Sequence, residues 1–119
     1  IFKDFANTGD GELTSIQILN ILSKSNKKMS EVASVMKRYP QVLINVKVRE
    51  EAKGQYENDS AVTKVMKEVS EELAGEGRVL IRPSGTEALI RVMIEGLDQG
   101  DINKKAKKIA DVIEKKFGI

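Results

Sequence analysis

Residues 41–119 predict an α+β two-layer sandwich, a small antiparallel sheet with two helices on one face. Three observations carry that reading. Residues 42–48 alternate apolar and polar side chains, the two-residue repeat of a strand with one buried face. Residues 62–73 and 102–117 instead place their apolar side chains at helical spacing. Two short apolar runs, 79–81 and 89–94, flank a tight turn and read as a hairpin. The resulting order is strand, helix, strand, strand, helix. Packing both helices on one side of the sheet is the natural way to bury both stripes.

The elements justify themselves in order. The apolar opening, Ile1 to Ala6, reads as the end of a strand, and Asn7 to Gly11 as a turn. Leu13, Ile16, Leu19 and Leu22, widened by Ile18 and Ile21, mark a helix to about Lys24. Asp10 at its start is read as a cap for free amides rather than a metal ligand, because a lone carboxylate is a poor metal site. A polar break at 25–28 precedes a short second helix, with Ser30 as its cap and Val32, Val35 and Met36 along it, before Tyr39-Pro40 ends it. A domain boundary is therefore expected near residue 40, with residues 1–40 as the end of a preceding domain and its connector, and 41–119 as a C-terminal domain.

After the first strand, 49–58 reads as a polar loop, and Asp59 or Asn58 as the cap of a helix carrying Val62, Val65, Met66, Val69 and Leu73. Gly75 and Gly77 stop that helix. Strands follow at about 78–82 and 88–95, the second with Ile90, Val92 and Ile94 on one face and Arg91 on the other. Asp101 is the expected cap of the last helix, with Ile102, Ala106, Ile109, Ala110, Ile113 and Phe117 facing inward and its lysines forming a solvated face. An extra short strand is expected to complete the sheet.

Composition removes several function classes. With 119 residues the chain holds one compact domain and some extra helix, too little for an active site assembled from several domains. It has no Cys and no His, which excludes disulfides, thiolate chemistry, imidazole or thiolate zinc sites and His-based triads. A net charge of +2 is too small to make nucleic acid or an anionic membrane the main partner. No apolar run approaches the roughly 20 residues of a membrane helix, and a cysteine-free chain fits a cytoplasmic setting. The chain opens Ile1-Phe2-Lys3 without Met and reads as part of a longer protein.

The chemistry concentrates in the turn Arg82-Pro83-Ser84-Gly85-Thr86-Glu87. A phosphate monoester needs a forked cation, small hydroxyls and converging backbone N–H groups. Arg82 supplies a planar fork that a Lys cannot imitate, and Ser84 and Thr86 supply hydroxyls. Gly85 permits positive φ and lets amides approach a ligand closely. Pro83 holds Arg82 extended, and Arg91 on the returning strand can reach the same anion from a second side. The bland alternative is a plain Ser/Gly-rich hairpin turn.

This turn, with Ala88-Leu89-Ile90-Arg91-Val92 after it, resembles the phosphate-binding loop in the C-terminal domain of the alpha-D-phosphohexomutases. Thr8-Gly9-Asp10-Gly11 with Leu13-Thr14 resembles a segment near the end of that family's third domain, and Tyr39 to Val46 the entry to its fourth. The likeness is strongest to bacterial members that interconvert glucosamine 6-phosphate and glucosamine 1-phosphate. One departure is Ala88, where relatives carry Pro. The resemblance implies a TATA-binding-protein-like C-terminal domain in which Arg82, Ser84, Gly85, Thr86 and Arg91 hold the non-reacting phosphate of a phosphorylated hexosamine. It also implies a phosphoserine and Mg2+ carried by earlier domains, a bisphosphorylated sugar intermediate, and homodimers among family members. No catalytic residue and no metal ligand is expected in this chain, which is expected to be inactive alone. The alternatives are the same domain of a phosphomannomutase or phosphoglucomutase, a nucleic-acid-binding α+β module, and a domain that only docks on another protein. The aromatic residues Phe2, Phe5, Tyr39, Tyr56 and Phe117 fall outside the three strands expected in 41–119, which speaks against base stacking on that sheet.

Overall fold

A computed structural model describes all residues from Ile1 to Ile119. The chain divides into two compact units, Ile1–Arg38 and Tyr39–Ile119.

The first unit holds α1 (Gly11–Ser25) and α2 (Met29–Ala33). Asp10 caps α1 by accepting from the Leu13 N–H at 2.9 Å, and Asn26 ends it in the left-handed region at φ 50°. No residue of α1 is buried, and Ile16, Leu19 and Ile21 are more than half exposed, so its period specified a helix but not what covers it. Ser30 does not cap α2. Lys28 occupies that position, its N–H bonded to the Glu31 carboxylate at 2.7 Å, and the helix stops at Ala33 with Val35 and Met36 beyond it. The expected strand at 1–6 is also absent. A turn forms instead, closed by the Phe5 and Ala6 N–H groups on the Phe2 carbonyl, because no strand of the chain offers this segment a ladder.

The second unit is a three-stranded antiparallel sheet of β1 (Gln41–Lys47), β2 (Arg78–Pro83) and β3 (Leu89–Glu95), ordered β1-β3-β2, with α3 (Ser60–Glu72) and α4 (Gln99–Phe117) against one face. The central strand is the most apolar, as burial between two neighbours requires: Ile90, Val92 and Ile94 are fully buried. The register lines up Val42, Ile94 and Val79 in one cross-strand row on the covered face and Ile44, Val92 and Ile81 in the next. These rows meet Val62, Val65 and Val69 of α3 and Ile102, Ile109 and Ile113 of α4 in one core. Pro83 lacks an N–H, and its place on the edge strand β2 makes that tolerable.

Four expectations are corrected here. The cap of α4 is Asp98, which accepts from the Asp101 N–H at 2.6 Å, while Asp101 lies inside the first turn and pairs with Lys105. The lysines of α4 are not all a solvated face. The Lys105 side chain is 12% exposed and sits between Asp101 and Glu72, and Lys108 pairs with Glu68 and Glu72, so these cations tie α4 to α3. The segment 49–58 contains two 3-10 turns that bury Ala52 and Tyr56, isolated side chains that no periodicity could flag. In place of a further strand there is one bridge, Val48 to Gly118.

Candidate functional site

Strand alternation and register build the site. Arg82 points to the side of the sheet opposite Ile81, the face without helices, and its partner across β3 is Arg91. On this open face the cross-strand rows read Gln41, Glu95, Arg78, then Leu43, Met93, Leu80, then Asn45, Arg91, Arg82. Each end of this surface treats charge differently. Arg78 is answered by Glu95 in a two-point ion pair at 2.6 and 3.3 Å, whereas Arg82 makes no hydrogen bond or ion pair. Two arginines placed directly opposite one another repel, so their juxtaposition favours an anion between them.

The loop Ser84–Ala88 joins β2 to β3 and is tied from within. Ser84, 5% exposed, donates its N–H to the Leu89 carbonyl at 2.9 Å. Its hydroxyl oxygen accepts from the Glu87 N–H at 3.3 Å and from Arg91 Nη2 at 3.5 Å. Ser84 is therefore the knot of the loop as well as a hydroxyl against Arg91. Arg91 also lies 3.4 Å from the Glu87 carboxylate, and its Nε is buried without a hydrogen bond. A guanidinium with a buried, unanswered donor is prepared for one more acceptor. Thr86 is exposed and free of protein partners.

Gly85 departs from the sequence reading in one respect: its φ is not positive, Gly75 being the glycine that takes that conformation. Nothing lies within 4 Å of where a Gly85 side chain would start, so the open approach expected there is present. A shallow cavity of about 110 Å³ adjoins the arginines, lined by Gln41, Leu43, Leu80, Arg82, Arg91 and Met93. Two larger hollows elsewhere mix both charge signs: one holds the paired Arg78 and Glu95, the other Lys47 and Lys107 with Asp111 and Glu114. The structure thus brings Arg82, Ser84 and Arg91 together by register and contact, with Gly85 and Thr86 exposed in the middle of the loop.

Sequence reasoning gave Glu87 no role and did not place Leu43, Leu80 and Met93 beside the arginines. Glu87 was within the motif, but its reach to Arg91 depends on the hairpin register. Tyr56 was missed too. Its hydroxyl lies 2.9 Å from the Glu57 carboxylate and 3.3 Å from the Ile81 carbonyl, so it buttresses β2 just before Arg82. Burial, chiefly, pushes its pKa up to about 12. No group of three acidic side chains is placed to hold a metal ion.

Sequence comparison gives the family of the chain. The profile of the phosphoglucomutase/phosphomannomutase C-terminal domain matches residues 43–112, and that of alpha/beta/alpha domain III of the same family matches residues 1–39. The chain belongs to the phosphoglucomutase/phosphomannomutase family. Within that family it is 55% identical over 114 residues to phosphoglucosamine mutase of Ruminiclostridium cellulolyticum, covering 96% of this chain and 25% of the relative. It is 53% identical over 117 residues to phosphoglucosamine mutase of Caldicellulosiruptor bescii, covering 98% of this chain and 26% of that one. The chain thus spans about a quarter of the length of these curated relatives. Among solved structures, Aspergillus fumigatus N-acetylphosphoglucosamine mutase in complex with glucose 1,6-bisphosphate shares the fold, with a TM-score of 0.73 at 19% identity over 93% of this chain and 22% of that one. The same fungal enzyme in complex with GlcNAc-6P and magnesium gives a TM-score of 0.66 at 20% identity over 80% of this chain and 19% of the other.

Proposed function

We propose that this chain is the substrate-phosphate-binding end of a phosphoglucosamine mutase. The observation that carries the proposal is the cross-strand pair Arg82 and Arg91, one without any partner and the other with a buried free donor, set beside the Ser84 hydroxyl. High identity to enzymes named phosphoglucosamine mutase supports the choice of sugar, since the loop itself has no reason to contact the ring.

In this reading Arg82, Ser84, Gly85, Thr86 and Arg91 hold the phosphate that is not reacting. Remote binding energy at the loop orients the other end of the sugar, and holding it there converts an encounter into a positioned reaction. A loop that grips phosphate alone serves both orientations of a bisphosphorylated sugar. This reading assigns the phosphoserine and Mg2+ of the reaction to earlier parts of the intact enzyme. Dimer formation and a cytoplasmic setting are part of the same proposal, and no helix is long and apolar enough to cross a membrane. A nucleic-acid role finds no support on the open face, where the side chains between Gln41 and Lys47, Arg78 and Arg82, and Leu89 and Glu95 include no aromatic ring.

The test is a titration of inorganic phosphate into isotope-labelled chain, with Arg82→Ala as control. Amide shifts at Ser84 to Thr86 are expected in the parent and absent in the variant. In the intact enzyme the same substitution should impair substrate binding while leaving Mg2+ affinity unchanged. A chain in which those amides stay still at high phosphate would remove the reading.

A further inference from the structure

We propose that Glu87 is an internal counter-ion of this site: its carboxylate holds Arg91 and yields it to an incoming phosphate, so that uptake is an exchange of anions. The inference rests on the phosphate-binding reading of the loop.

The geometry makes the exchange a side-chain event. The Glu87 backbone is fixed on both sides, its N–H on the Ser84 hydroxyl at 3.3 Å and its carbonyl accepting from the Leu89 N–H at 2.9 Å. Its side chain is 60% exposed and can rotate into solvent without moving the loop. The contact to Arg91 is loose, 3.4 Å against the roughly 2.7–2.9 Å of a strong charge-assisted bond. It reaches only Nη2, leaving Nε buried and unanswered. Arg82, across the ladder, has no carboxylate at all.

Magnitudes decide which anion wins. An ion pair this exposed is worth little net, because water screens it and both side chains lose freedom in making it. A phosphate monoester with close to two charges and three acceptor oxygens can answer both arginines together, so it gains more than the carboxylate it displaces. A singly charged anion merely replaces one such charge with another. Glu87 gives Arg91 a partner to return to when the phosphate leaves.

The test compares the parent chain with Glu87→Gln and Glu87→Ala by NMR titration, using inorganic phosphate and a singly charged sulfate monoester as probes. Both variants are expected to bind phosphate about two- to fivefold more tightly at low ionic strength, with the gain shrinking at high salt. The gain for the singly charged probe should be no larger, because the cost of displacing Glu87 is the same for either anion and repulsion by its carboxylate is weaker for the lesser charge. Parent binding with unchanged or weaker affinity in both variants would overturn the counter-ion role while leaving the phosphate site intact. Retention in Glu87→Gln with loss in Glu87→Ala would also overturn it, since that pattern marks a hydrogen-bonding scaffold. No response at Ser84 to Thr86 in any of the three proteins would remove the phosphate reading itself.

Discussion

At the scale of single residues, two glycines that look alike in sequence do different work. A side chain at Gly77 would strike the carbonyl oxygen of Glu95 on β3, and the nearby Leu73 side chain leaves no room to shift. Gly77→Ala is therefore expected to cost roughly 1–3 kcal/mol in denaturant unfolding, whereas Gly85→Ala, with open space around it, should change stability by less than about 0.5 kcal/mol. The sequence marks Gly77 as a helix stop and Gly85 as a residue free to take positive φ beside a ligand. Only the packed sheet shows that the first is a close approach of two strands and the second an open lip. Arg82 belongs at this scale as well, and its replacement by Ala is the direct test of the anion site given above.

Elements are held by their ends and by the ties between them. Asp98 and Asp101 compete for the role of cap at α4, and the structure gives it to Asp98. Asp98→Ala is expected to cost about 1 kcal/mol, and Asp101→Ala less, about 0.3–0.5 kcal/mol for a charge pair one helical turn apart. Thermal melts of the two variants check the order. At the start of α3 the Asp59 carboxylate is held below the usual range, first by the Val62 N–H and also by the Ala61 N–H and Lys116. Its contribution is present above the ordinary carboxylate pKa and lost as pH falls through the lower folded value.

Tyr56 gives the opposite case. Its folded pKa is raised from 10.0 to about 12, so the stability it contributes is complete below pH 10 and lost as pH rises toward 12. Tyr56→Phe should remove that alkaline loss, measurable as a flatter melting temperature between pH 10 and 12. The residue escapes sequence reasoning because a lone Tyr in a polar stretch carries no period, and its burial against β2 is a long-range contact.

For the whole molecule, the buried cluster runs from Val46 to Phe117 and lies entirely within the unit Tyr39–Ile119. Residues 39–119 expressed alone are expected to unfold in one cooperative transition, with coincident far-UV circular dichroism and NMR signals; a multiphasic melt would show that the unit is not self-sufficient. Most of this architecture was legible beforehand. The alternation at 42–48, the stripes on α3 and α4 and the apolar β3 each report a local period. That period is enough to define element type, buried face and the sandwich of two helices on an antiparallel sheet. The motif 82–87 likewise stood out by residue type. Tertiary structure alone decided the strand order, the pairing of Arg82 with Arg91, the hold of Glu87 on Arg91, and the burial of Tyr56 and Lys105. The physical reason is range: period and capping act within a few residues of chain, whereas register and counter-ion geometry exist only once segments distant in sequence share a surface.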